Sequence, residues 1–432
     1  MDTFHDTSAD MAALRRLIGG ARVVALGEGA HNITEFYGLR DLLFRFLVRE
    51  CGFTGLVLES GFAEGLAVDE WIDGGPGRVE TVARDGITYR FGECEPMRRQ
   101  LRWMRRRNSG GSPKVSFYGM DLPGSSTSPG PAVRACLDRL PARPGDEELR
   151  RLSDLGDRSQ AAVRYAAMSP SDRARLLEGL RGLGERALCA HRHGGPDDED
   201  SEIALWCAAS LRAFVAEADE DGASPEGPHP REAFMARSVE WILRRERRVV
   251  VSAHNAHVRR TPLHGRPTLG GLLSAELGAD LVVIGTTYGS GPEVTFAQRS
   301  SRPFDCDVTL GARTPTPESV ESRLDRLGQE VALLDPRRAP AGFFDGVEGT
   351  LAGGELDPVD DFPAAYDALL HFRRVNRIPG AFERLRAEFT AAAGAGSETA
   401  PDADADADAP ADQSMRPGGP DGLPDTEESE SP

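Results

Sequence analysis

Residues Val23 to Glu59 read as a strand, a helix and a second strand, and that succession constrains the fold more than any other feature of the chain. ARVVALGE is a short run of β-branched and apolar residues stopped by Gly27. TEFYGLRDLLFRFLVREC follows, with Phe36, Leu39, Leu43, Phe46 and Leu47 on one face at helical spacing. Gly52 ends that helix, and TGLVLES reads as a second buried strand. Strands joined through a helix lie parallel, with a right-handed crossover.

Other segments extend the pattern. MAALRRLIGGA is a short helix before the first strand, and another helix runs from about Phe62 to Asp73. KVSFYGMD, RRVVVSAH and DLVVIGTTY supply a third, fourth and fifth strand. EVTFAQ is expected to pair with the fifth through the Gly289-Ser290-Gly291 turn. QEVALLD and AYDALLHF add short strands late in the chain. Between Pro131 and Glu246 nearly everything carries apolar residues at three- and four-residue spacing. The expected fold is α/β: a central, mostly parallel sheet flanked by helices, with a large helical insertion forming part of a cleft. The expected boundaries are 1–130 and 247–392 for the two parts of the α/β domain, 131–246 for the insertion, and 393–432 for a disordered acidic tail.

Charge supports that last boundary. From Gly394 onward there are eleven acidic residues and one basic residue, Arg416, within a chain of net charge −18. Such a tail buries too little apolar surface to offset its ordering entropy. Cutting the chain at about Gly394 is expected to leave activity and melting temperature unchanged. The acidic balance argues against a nucleic-acid partner. No apolar run reaches the roughly 18 residues of a membrane span, and the N-terminus lacks a basic region followed by an apolar one. The expected location is the cytoplasm, with no membrane partner. The six cysteines (51, 94, 136, 189, 207 and 306) stand singly, with no CxxC pair for a zinc or redox motif.

Ligands of open α/β sheets bind outside the carboxyl ends of the strands. Strand one ends in Gly27-Glu28-Gly29-Ala30-His31, strand two in Glu59-Ser60, strand three in Gly119-Met120-Asp121, and strand four in His254-Asn255-Ala256-His257. These are residue types of general acid–base catalysis and of metal ligation. Each has a plain structural reading as well. Glu28 and Glu59 suit helix N-termini, and Asp121 precedes a Leu122-Pro123 turn. Arg40 lies nine residues after His31, two and a half helical turns away, so spacing alone does not bring it to the site. The conjunction at one surface carries the argument.

Gly27-Glu28-Gly29-Ala30-His31, Glu35-Phe36, Arg40, the LES strand end at Glu59, FYGMD and HNAH together resemble the erythromycin esterase family. REAFMARSVEWIL, from Arg231, is similar to the helix preceding that family's HNAH strand, with Glu232 where the family commonly has Asp. The resemblance implies an α/β fold with a helical portion around a deep cleft, and hydrolysis of a macrolide lactone ester. It implies His31 as general base, Glu28, Glu59 and Arg40 as its acidic and basic partners, and His254 and His257 as a histidine pair.

The chain has no G-x-S-x-G elbow. Activated water is therefore the simplest nucleophile, with a neutral imidazole to accept its proton. Glu59 or Glu28 would orient that imidazole, and Arg40, His254 or His257 would stabilise the oxyanion. Asp121 and Asn255 are expected to bind substrate, a small molecule or a peptide-like compound. This reading uses no cofactor. An alternative makes His31, His254, His257 and one carboxylate the ligands of zinc or manganese. Other classes remain: a natural-product or peptide tailoring enzyme performing elimination, cyclisation or transfer in the same cleft, or a non-catalytic binder.

Overall fold

Strand β1 (Val23–Glu28) and strand β2 (Gly55–Gly61) are buried along their whole length, which is why their sequences run apolar without alternation. In β1, Val23 and Ala25 face one helical layer while Val24 and Leu26 face the other. The chain is described here from a computed structural model covering residues 8–111, 113–156, 158–194, 198–218, 227–300 and 302–398.

Helix α1 (Ser8–Ile18) precedes β1, and α2 (Thr34–Glu50) crosses to β2. Helices α3 (Phe62–Ile72), α4 (Val79–Gly86) and α5 (Glu95–Ser109) lead to β3 (Ser116–Asp121). Among the described residues, the α-helices that follow are α6 (Gly130–Leu137), α7 (Asp146–Ser153), α8 (Arg158–Ala166), α9 (Pro170–His193), α10 (Glu199–Ala218) and α11 (Pro230–Ile242). Then come β4 (Val249–His254), α12 (Asn255–Val258), α13 (Leu269–Leu277) and β5 (Leu281–Ser290). The remainder is β6 (Pro292–Gln298), β7 (Cys306–Ala312), α14 (Val320–Asp325), β8 (Val331–Leu334), β9 (Gly349–Ala352), β10 (Glu355–Pro358), α15 (Phe362–Ala365), β11 (Ala368–Arg374) and α16 (Ala381–Glu398).

Among the described residues the main sheet has seven strands, in the order β3-β2-β4-β1-β5-β11-β8. Every pairing is parallel except that of β8, which runs antiparallel to β11 at one edge. From central β1 the chain first builds β2 and β3 on one side. It returns to insert β4 beside β1, then builds β5, β11 and β8 on the other. That reversal opens a crevice at the carboxyl ends of the strands. The helices between β3 and β4 share one hydrophobic core with a face of the sheet. Helix α10 packs on α6, α9 and α11, and α11 packs on β3 and α13.

Two expectations change. EVTFAQ does not pair with the fifth strand. Both flanks of β5 are taken by β1 and β11, so β6 pairs instead with β7, Pro292 opposite Ala312 through Gln298 opposite Cys306. Helix α16 runs to Glu398, so a cut at Gly394 would trim its last turn; the expected tail from residue 399 lies outside the described residues. Among the described residues no helix is long and apolar enough to cross a membrane.

Asn255, expected to bind substrate, is instead a strand clamp. It is buried, its Nδ2 donates to the Thr286 carbonyl at 2.8 Å, and its Oδ1 accepts from the Thr286 N–H at 3.3 Å. The Thr286 hydroxyl in turn donates to the Gly27 carbonyl at 2.7 Å and accepts from the Gly29 N–H at 3.2 Å. These bonds tie the ends of β4, β1 and β5 together. The glycines of the GEG turn are required by this plug: a Cβ on Gly27 would stand 2.2 Å from Asn255 Oδ1, and one on Gly29 would stand 2.4 Å from the Thr286 carbonyl oxygen. Asn255→Ala leaves two buried backbone groups of Thr286 without partners. Urea unfolding is expected to show a loss of about 1–3 kcal/mol.

Candidate active site

His31 sits three residues past the end of β1, at the floor of the crevice. The turn that carries it is braced from the far end of the chain. The Thr34 N–H donates to the Asn376 carbonyl at 2.8 Å, and the Ile378 N–H donates to the Asn32 carbonyl at 2.9 Å. Glu35 accepts from both the backbone N–H and the side-chain amide of Asn376, each at 2.8 Å. Asn32 is held in the left-handed region, φ 60°, a strained position that this bracing sustains.

Glu28 stands behind His31, its Oε2 3.5 Å from Nδ1. That nitrogen is buried and has no hydrogen-bond partner. The His31 side chain as a whole is 36% exposed, so its other edge faces the crevice. Arg40 reaches Glu28 after all: its Nη1 donates to Oε1 at 2.9 Å. The guanidinium lies over the Tyr37 ring at 4.3 Å, and its Nε donates to Gln100 Oε1 at 3.2 Å. Arg40 is 2% exposed. It therefore serves the carboxylate behind His31 and does not face an oxyanion in the crevice, correcting one of its expected roles.

His254 and His257 come from one short segment but stand in opposite environments. His254 ends β4, and its ring centroid is 5.1 Å from that of His31. Its Nδ1 accepts from the Ala256 N–H at 3.2 Å. Burial, with the neighbouring His31, pushes its pKa down to about 3. The ring is thus neutral at pH 7, and with Nδ1 accepting, the proton sits on Nε2. His257, one turn on, points back beneath the strand ends. Its Nδ1 meets Glu232 Oε1 at 2.5 Å and its Nε2 lies 3.3 Å from Glu59 Oε1. Burial opposes its charge, but the Glu232 and Glu59 carboxylates prevail and push its pKa up to about 10. It is an imidazolium clamped between two carboxylates, unable to act as a base or as an open-cleft donor.

Glu59 does not orient His31. Its Oε2 accepts the backbone N–H of His254 at 2.8 Å, and its Oε1 takes Arg231 Nη2 at 3.0 Å as well as His257. Burial would raise its pKa, but the His257 charge and hydrogen bond, with His31 and Arg231, hold it well below the ordinary carboxylate range. Asp121, expected to bind substrate, is fully buried. Its two oxygens accept Arg231 Nε at 2.9 Å and Nη2 at 2.7 Å, Tyr89 Oη at 2.9 Å, and its neighbour Leu122 N–H at 2.7 Å. No oxygen is left for a ligand.

Arg231, Glu232 and Tyr89 complete the site and were not singled out by the strand-end argument. Arg231 and Glu232 open α11, at the end of the helical excursion, and Arg231 is 110 residues from Asp121. Glu232 also accepts the Leu269 N–H at the start of α13 at 2.7 Å, where a helix favours negative charge. An adjacent pair of opposite charges at a helix start is common on surfaces. The available signal was REAF in the segment resembling the family helix. Tyr89 sits in a loop with φ 56°, and its hydroxyl bridges Asp121 and Ser126 Oγ.

The fold and the site together define an α/β protein with a histidine–carboxylate centre at the carboxyl end of a mostly parallel sheet. Residues 48–375 match the model of the erythromycin esterase family. The chain belongs to that family, and the family and fold support a hydrolase of esterase type. The matched span contains Glu59, Asp121, Arg231, Glu232, His254 and His257, and begins after Glu28, His31 and Arg40. The chain is similar to the Escherichia coli erythromycin esterase type II, 29% identical over 372 residues, covering 78% of this chain and 85% of the relative. The type I enzyme of Escherichia coli is 26% identical over 356 residues, covering 76% and 85%. The fold resembles the crystal structure of a succinoglycan biosynthesis protein, with a TM-score of 0.67 at 19% identity over 86% of this chain and 93% of that one. It also resembles an erythromycin esterase mutant, EreC, in its open conformation, with a TM-score of 0.67 at 20% identity over 86% and 95%.

The histidine environments carry a pH dependence. The folded-state pKa of His257, about 10, lies above the ordinary value near 6.5. Its contribution to stability is therefore fully present below pH ~6.5 and is lost as pH rises through about 10. Urea midpoints measured from pH 6.5 to 10 are expected to fall in the wild type, and to fall less steeply in His257→Asn. His254 acts in the other direction. Its pKa of about 3 keeps it neutral while the unfolded chain takes up a proton, so stability drops as pH falls from ~6.5 towards 3.

Proposed function

We propose that this chain hydrolyses an ester of the macrolactone type, using a water activated by His31. The observation that carries the reading is the His31 ring, open to the crevice on one edge and backed by the Glu28 carboxylate 3.5 Å from Nδ1. With the ring proton placed on Nδ1, the side on which Glu28 stands, Nε2 is left to accept a proton, as the histidine of a triad does. Arg40 holds Glu28 in place.

The steps follow from these placements. Nε2 of His31 takes a proton from water as the oxygen attacks the ester carbonyl carbon. The carbonyl oxygen becomes an oxyanion, and the Nε2–H of neutral His254 is the adjacent donor for it. The tetrahedral intermediate then collapses, the carbon–oxygen bond to the alcohol breaks, and His31 returns its proton to the leaving alkoxide. Acid and alcohol are the products, and His31 ends as it began. Glu59, His257, Glu232, Asp121 and Arg231 position the His254 backbone and the strand ends.

What supports a metal-independent reading is the commitment of the nitrogens. Both ring nitrogens of His257 face carboxylates, and His254 Nδ1 accepts a backbone N–H. Among the described residues no three His, Cys, Asp or Glu side chains are grouped to hold a metal ion.

A macrolactone panel that includes erythromycin, incubated with chelator-treated protein and read by mass spectrometry, tests the proposal. The expected result is the gain of one water on at least one lactone, with turnover lowered about 10²–10⁴-fold by His31→Ala while lactone affinity is retained. Glu28→Gln is expected to lower kcat more than it changes KM. Turnover that appears only on adding zinc or manganese would overturn the metal-independent route. A folded enzyme that changes no lactone would overturn the substrate class.

A further inference from the structure

Gln100 is a fully buried amide on α5, at a position where an apolar side chain would leave none of its own atoms unpaired. We propose that Gln100 is a positioning residue for the hydrolysis: it aims the Arg40 guanidinium at Glu28 and thereby fixes the carboxylate that stands behind His31. The inference rests on the reading of His31 given above.

Helix α5 turns Met97, Gln100, Leu101, Trp103 and Met104 to the interior. All but Gln100 belong to the hydrophobic core shared with α2. Gln100 is 0% exposed, and its Nε2 has no hydrogen-bond partner. Chemistry sets the orientation of the amide. Arg40 Nε can only donate, so the Gln100 oxygen must face it, at 3.2 Å. The NH2 group is thereby turned into apolar surroundings, and a buried amide N–H without a partner is destabilising. Methionine or leucine at this position would carry no such group. A departure of this kind from the packing of the rest of the helix is expected at functional sites, and here the partner gained is Arg40.

The guanidinium needs a second directed bond because its ion pair with Glu28 is single. Only Nη1 meets Glu28, at 2.9 Å from Oε1, and one contact leaves the planar group free to turn about it. The remaining contacts are weak or undirected. Met97 Sδ lies 3.8 Å from Nη2, and the Tyr37 ring packs against one face at 4.3 Å. Gln100 supplies the directed bond at another corner of the plane. With both bonds made, the guanidinium has one orientation, and Oε1 of Glu28 is held by it. The other oxygen of Glu28 is the one 3.5 Å from His31 Nδ1.

The acceptor on α5 is also neutral. A carboxylate in its place could take the Nε and Nη2 edge as a two-point fork and share the charge of Arg40. The amide orients the guanidinium by one hydrogen bond and leaves that charge to Glu28. Gln100 thus governs both the geometry and the charge behind His31 from outside the crevice.

Two variants of the full chain test this. Gln100→Glu has nearly the same size and keeps an acceptor for Nε, but competes with Glu28 for the guanidinium. NMR of labelled histidine rings reads the effect without substrate, the His31 signal being identified among nine histidines by its loss in His31→Ala. The pH midpoint of the His31 ring is expected to rise by about half a pH unit in Gln100→Glu, because more uncompensated negative charge then faces it. An unchanged midpoint would overturn the proposal. Gln100→Met removes the acceptor and leaves an apolar side chain of similar length. On a lactone that the wild type hydrolyses, it is expected to lower kcat about tenfold or more while KM stays within about twofold. Wild-type kcat in this variant, with the protein folded by circular dichroism, would overturn the proposal as well. Failure of the esterase reading shows separately, as an absence of lactone hydrolysis by the wild type, and the NMR midpoint then decides alone.

Discussion

Arg231 is the residue on which the site depends. Its guanidinium spans Asp121 at the end of β3 and Glu59 near the end of β2. Three largely buried charges in this position would each be costly alone, and removing one partner of such a set leaves the others uncompensated. The helix that supplies Arg231 must therefore dock at one place and in one orientation. Its neighbour Glu232 is carried to His257 by that docking, and the other Glu232 oxygen caps the start of α13. One helix start thus couples the helical excursion to two edges of the crevice.

This network explains why histidines that share a site take different roles. His257 lies between Glu59 and Glu232 and is held charged. His254 is buried against His31 and held neutral, with its tautomer set by a backbone N–H. His31 is backed by a single carboxylate and open to the crevice. Residue type supplies an imidazole in each case, and the surroundings decide that His257 is charged and His254 neutral. A similar division applies to the carboxylates. Glu28 faces His31, whereas Glu59 and Asp121 are fully occupied in holding other groups. The loops that complete the crevice carry backbone strain: Asn32, Tyr89, Arg90, Ser125 and Ser126 all have positive φ. Side-chain and backbone hydrogen bonds between those loops sustain it.

Much of the architecture was legible from local pattern. Strands β1 to β5 and the helices between β3 and β4 show themselves in apolar runs and in three- and four-residue spacing. Because parallel strands must present their carboxyl ends to a common side, Glu28, Glu59, Asp121 and His254 could be placed at one surface before any contact was known. The partner of EVTFAQ was not legible, since it depended on both flanks of β5 being occupied. Nor was the work of Asn255, whose amide is spent on Thr286 in a strand that follows 31 residues later.

Backbone periodicity and the geometry of parallel crossovers are local properties, and they are enough to set the class of fold and the position of the crevice. The roles of the residues around it are not local. A carboxylate stands behind His31 or becomes a counterion for Arg231 according to which side chain is opposite it. That is settled only when helix α11, the β4 end and the β3 end are brought within about 3 Å hydrogen-bond range of one another. Electrostatic and hydrogen-bond energies fall steeply with distance and depend on burial, so assigning those roles required the packed tertiary structure.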